Sequence, residues 1–195
     1  MPQPITNIIE DFSQEVGLAP SSIDDRTNTA IFKKIDLRKV LNNSFSGSFF
    51  DFIENDAAID KLIADFAAFV RKLEAKGVRV FTRKPIGSGF NVELRVAAMA
   101  SVTDFLQGQR VKTAALESIG GLEHWGKFSI LSLSSTALVG SFHEIIDDRK
   151  GFARHCLDRF PQLDDHFNDA EPNRVDPIPL IARELKKSWT FYLKW

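Results

Sequence analysis

A second cysteine is missing from this chain, and with it any intramolecular disulfide, because Cys156 stands alone. Tyrosine is as scarce: one residue against 17 phenylalanines, so most aromatic packing falls to a ring with no polar handle. A charge excess of either sign is lacking too. Lys and Arg number 25 and Asp and Glu 26, for a net charge of −1, which argues against nucleic acid as a partner. No apolar run approaches the roughly 20 residues that a membrane-spanning helix needs, so no membrane partner is expected. The opening residues lack the basic flank and apolar core of a secretory signal. These absences predict a soluble, cytoplasmic protein.

What is present is globular in kind. Over 195 residues, 44% hydrophobic and 26% charged composition suffices for one sizeable core. The reading is a single α+β domain over 1–195, with a helical N-terminal segment (1–56) and a helix–hairpin–helix–strand core (57–195). An antiparallel or mixed sheet of about five strands is expected, flanked by helices, with two or three helices before the first strand.

Particular spacings support this. Ile5, Ile8, Ile9, Phe12 and Val16 recur at helical intervals after Pro4. Ser22 and Asp25 have capping-box spacing, which predicts a helical or mixed segment running towards Val40 and Leu41. The stretch NNSFSGSFFDF reads as an irregular connection that tucks aromatics under the core. Ile59, Leu62, Ile63, Phe66, Val70 and Leu73 form one apolar stripe, closed by Gly77, over a helix at 57–76. A hairpin follows, VRVFTRK, turn, FNVELRV, in which Phe90, Val92, Leu94 and Val96 alternate with a polar face. Two short helices come next, capped by Ser101 and ended by Gly120–Gly121, then strands at KFSILSL and TALVGSF. A helix is predicted from Phe142 to Phe160, and another opens at Asp176–Pro177. WTFYLKW reads as a terminal strand.

Each candidate for chemistry is incomplete. His143 and Asp147, four apart, would share a helix face as metal ligands, and Asp164, Asp165 and His166 follow, but nothing in the spacing makes three of them converge, so no metal is expected. Cys156 falls on an apolar stripe, as a core thiol does. Glu93 and Arg95 resemble the Glu-x-Lys of hairpin nucleases, yet Ile86 stands where their metal-binding Asp should be. The Gly87-Ser88-Gly89 run precedes a strand, so it is a turn rather than a phosphate cradle. Lys and Arg prevail between Arg71 and Lys112, whereas the stretch from His143 to Glu171 is acidic, a separation able to steer partners.

Two functional readings remain. The order hairpin, helix, strand, helix, together with the small residues Thr113, Ala114 and Ala115 in QGQRVKTAALESI, resembles the pyrophosphate loop of acetyltransferases of the GNAT type. That resemblance implies an acyl-CoA-dependent N-acyltransferase with Gln107, Arg110, Lys112 and Thr113 around the cofactor, although Arg110 and Lys112 replace the family's glycines. The leading expectation is instead a non-catalytic interaction module, an inhibitor, immunity-type, adaptor or assembly subunit without a cofactor, whose partner is another protein or a second copy. Its candidate interface residues are Phe49, Phe50, Trp189, Phe191, Tyr192 and Trp195, because aromatics are enriched at interfaces and a terminal strand offers an edge.

Overall fold

Strand pairing organises the chain into one mixed sheet. The structure, a computed structural model, describes residues 5–84, 90–164 and 176–195. Pro4, Ile86, the Gly87–Gly89 turn, Asp165, His166 and nearly all of the 168–177 loop lie outside the described residues. The strands are β1 (Ser22–Asp24), β2 (Thr29–Asp36), β3 (Val78–Thr82), β4 (Asn91–Ala98), β5 (Phe128–Leu133), β6 (Ala137–Phe142) and β7 (Thr190–Lys194). They form a 7-stranded sheet in the order β1-β2-β4-β3-β5-β6-β7. Every pairing is antiparallel except β3 with β5, which run parallel with Thr82 opposite Ser132.

The sheet thus exceeds the five strands expected, and the surplus lies in the N-terminal segment. Among the described residues only α1 (Ile5–Val16) precedes the first strand, and residues 22–36 form β1, a turn and β2 rather than a helical stretch. The reason is a bulge. Between Phe32 and Ile35 the register against β4 shifts, Lys34 takes a left-handed φ of 57°, and the buried positions Phe32 and Ile35 come three apart. A strand with one extra residue counterfeits helical spacing.

Helices cover both faces. One apolar cluster joins Ile8 and Phe12 of α1, Phe52 of α3 (Phe49–Ile53) and the stripe of α4 (Asp56–Glu74) to Phe32, Val80 and Leu94 of the sheet. The other joins α5 (Val102–Gly108), α6 (Thr113–Gly120), α7 (Arg149–Arg159) and α8 (Pro177–Ser188) to Phe81, Ile130, Leu138 and Leu193. Between α1 and α4, a four-residue helix, α2 (Leu37–Val40), closes β2 with Asp36 as its cap. Phe45, Phe49, Phe52 and Phe90 meet ring to ring, with the Phe52 and Phe90 centroids 4.9 Å apart, so the aromatic connection does pack inward apart from Phe50. Of the hairpin, β4 keeps a polar face at Asn91, Glu93 and Arg95, but β3 is buried at every position because it is paired on both sides and covered on both faces.

The helix expected from Phe142 begins only at Arg149. Phe142 ends β6, and the Asp148 side chain accepts from Gly151 N–H to start α7. At the other end of the chain, Gly140 on β6 faces Phe191 on β7, whose ring lies over the glycine and reaches Phe142 at 4.8 Å and Phe128 at 5.3 Å. A Cβ at residue 140 would stand 2.3 Å from Phe191 Cζ. Gly140→Ala is therefore expected to lower stability by about 1–3 kcal/mol, as overpacking does, and to shift the urea midpoint down at unchanged slope. An unaltered midpoint would show that this aromatic lid adapts freely.

Candidate functional site

The residues singled out for metal binding do not share a helix face. His143 and Asp147 lie in the connection between β6 and α7, and among the described residues no group of three His, Cys, Asp or Glu side chains could hold an ion. Cys156 is buried in α7, and burial alone pushes its thiol pKa up to about 12. Gln107 is exposed in α5, Arg110 and Lys112 follow in the turn, and Thr113 opens α6, so this stretch joins two helices rather than a strand and a helix. The placement that the acetyltransferase resemblance requires is missing. Glu93 is ion-paired with Arg95 at 2.8 Å.

The interface residues divide. Phe191 is buried, Phe49, Tyr192 and Trp195 are half-buried, and Trp195 packs towards Phe160. Phe50 is 75% exposed and Trp189 37% exposed, and these two remain available. Ile53, one helical turn from Phe50 on α3, is also exposed. Trp189 caps α8 in the left-handed conformation at φ 56°, which lifts its ring out just before β7 begins. Lys187, in the last turn of α8, is tied to Asp60 in the second turn of α4 at 2.8 Å. That ion pair brings the end of α8 to the start of α4, which α3 also contacts.

Buried chemistry, which the spacing did not reveal, gathers where α4 ends. Glu74, 6% exposed, accepts from the Ser129 hydroxyl at 2.5 Å and faces Arg79 at 3.5 Å. His143 Nε2 lies 2.8 Å from the same hydroxyl. Since the hydroxyl proton goes to Glu74, its oxygen accepts from His143 Nε2–H, which leaves Nδ1 as the acceptor. Arg79, 1% exposed, donates to Ala100 O at 3.2 Å and stacks over the Phe105 ring at 4.7 Å, while its Nε and Nη1 have no hydrogen-bond partner among the described residues. These residues come from α4, β3, β5 and the end of β6. The one sequence cue is a charged residue set in each apolar run, Glu74 after Leu73 and Arg79 between Val78 and Val80.

The arrangement contains serine, histidine and a carboxylate but is not wired as a nucleophilic triad. In a triad the imidazole stands between the acid and the hydroxyl, and the hydroxyl proton points at the imidazole. Here the hydroxyl is in the middle, its proton points at the acid, and Ser129 is fully buried. Burial raises the Glu74 pKa against the opposing pull of Ser129 and Arg79, and burial lowers that of Arg79. The His143 pKa is lowered by burial, then by Lys127 and Arg71. Desolvation outweighs attraction throughout, as in other buried ion pairs.

Comparison of the chain with protein-family models, with curated proteins and with solved structures finds no match.

Two outcomes are expected. Folded Glu74 keeps its proton to higher pH than in the unfolded chain, so its contribution to stability is complete at acid pH and is lost as pH rises through the folded value. His143 acts oppositely, its contribution being complete above the ordinary histidine value and lost as pH falls through the depressed one. Urea unfolding over a pH series should show Glu74→Gln gaining on the wild type as pH climbs out of the carboxylate range, and a constant difference would contradict the raised pKa. Cys156, for its part, should resist a thiol-specific reagent at mildly alkaline pH and react once denaturant is added. Rapid native labelling would mean that α7 opens locally.

Proposed function

We propose that the protein is a non-catalytic interaction module that works through the strip formed by Phe50, Ile53 and Trp189. The observation that carries this reading is the exposure of Phe50, Ile53 and Trp189, on two helices, α3 and α8, that each contact α4. An aromatic centre with a charged surround is the usual make-up of an interface core. Trp189 adds a second argument, since a bulky residue held at positive φ is strained, and strain persists where something else requires the geometry. Next to it, β7 is the terminal strand of the sheet, paired with β6 on one side, so backbone pairing can extend the contact. The partner is another protein or a second copy of the chain.

Phe50→Ser combined with Trp189→Asn tests the reading, Asn being chosen because it tolerates the left-handed conformation. Light scattering over a concentration series and co-purification from the native source should show the wild type associating, and the double variant should lose about 2 kcal/mol or more of that association with its thermal midpoint unchanged. A wild type that stays monomeric and retains no specific partner, or a variant that associates equally well, overturns the strip.

A further inference from the structure

The bulge in β2 builds a second surface. In a regular strand Lys33 and Lys34 would point to opposite faces, and one would enter the core, but the extra residue turns both to solvent. They line a groove of about 330 Å³ that Arg83 and Lys84 close from the end of β3. The same two lysines and Asn91 line an adjoining groove of about 420 Å³, whose far wall is aliphatic, with Val16, Leu18 and Val40. The carboxylates in these walls are already engaged. Glu93 is paired with Arg95 at 2.8 Å and Asp36 with Arg38 at 2.9 Å, whereas Lys33, Lys34, Arg83 and Lys84 have no ion pair among the described residues.

We propose that these joined grooves receive an extended acidic segment of a partner protein, with its carboxylates over the four cations and an aliphatic side chain against Leu18 and Val40. Charge complementarity selects an anion. The length of two lobes in series, with cations along both and an aliphatic wall in the second, selects a peptide over a single phosphate group. Single-stranded nucleic acid is disfavoured because neither lining holds an aromatic ring on which a base could stack, and a duplex because the chain as a whole carries a net charge of −1. The site is independent of the aromatic strip, and variants here leave Phe50, Ile53 and Trp189 untouched.

Fluorescence anisotropy with a labelled synthetic peptide of glutamates interspersed with leucines tests the groove in the whole protein. Binding that weakens with salt is expected, with a loss of roughly tenfold or more in Lys33→Glu/Lys84→Glu and little binding of the matching glutamine peptide. Both substituted positions are exposed, and circular dichroism confirms the fold of the charge-reversed protein. Equal affinity for the glutamine peptide, no effect of charge reversal, or no binding of the glutamate peptide overturns the proposal. So does salt-sensitive binding of inorganic pyrophosphate or oligothymidylate in preference to the peptide, which would assign the cations to phosphate instead.

Discussion

The parallel pairing of β3 with β5 is the join on which this sheet depends. On one side lies the antiparallel run β1-β2-β4-β3, on the other β5-β6-β7, and only that seam makes them one sheet. Parallel neighbours cannot be linked by a tight turn, so the chain leaves β4, passes through α5 and α6, and returns as β5 on the far side of β3. The seam is then held at both ends. At one, the Thr82 hydroxyl, which donates to Lys84 O at 2.6 Å, also lies 3.3 Å from Leu131 O across the seam; at the other, Glu74 faces Arg79 of β3 and accepts from Ser129 of β5. A buried carboxylate and guanidinium are costly to desolvate, and removing one of such a pair typically costs roughly 3–5 kcal/mol because the other is stranded. The pair therefore contributes more by fixing which strands meet than by any net stabilisation.

That same requirement separates the chemistry of the inside from that of the surface. Ser129 is fully buried in β5, every position of which is buried, and α7 is pressed against the sheet through Phe152 and Cys156. The reactive side-chain types are thereby engaged in packing. The strained backbone at Trp189 and Lys34 is instead found where side chains face solvent, at the entrance to β7 and at the bulge of β2.

Legibility in the sequence followed regularity. The long helix α4 and the Asp176–Pro177 start of α8 were readable from helical spacing and capping residues, and the wet face of β4, the strands β5 and β6 and the terminal strand from short apolar or alternating runs. The start of α7 was missed because buried residues on a strand end and in a connection, Phe142 and Ile146, happen to fall in phase with Phe152, Cys156 and Phe160 on the helix. The polar cluster was hidden for another reason. Glu74, Arg79, Ser129 and His143 come together only through the parallel seam, and pairing across it cannot be inferred from local spacing. Among the aromatics, composition identified candidates, but exposure separated Phe50 and Trp189 from Phe191, whose ring needs the bare backbone of Gly140 opposite.

The β2 bulge connects the two problems. The extra residue that spoiled the period-two pattern, and so disguised the strand, is the one that places adjacent lysines on the same exposed wall. A regular strand would have been easier to recognise and would have buried one of those charges or displaced it with an apolar residue. Left-handed backbone at a lysine has no packing benefit of its own, because the side chain is exposed. What it provides is a concentration of positive charge beside an aliphatic wall, in a chain whose total charge is close to zero. The one departure from local consistency thus does two things at once, keeping Phe32 and Ile35 both in the core and setting the two lysines side by side in solvent.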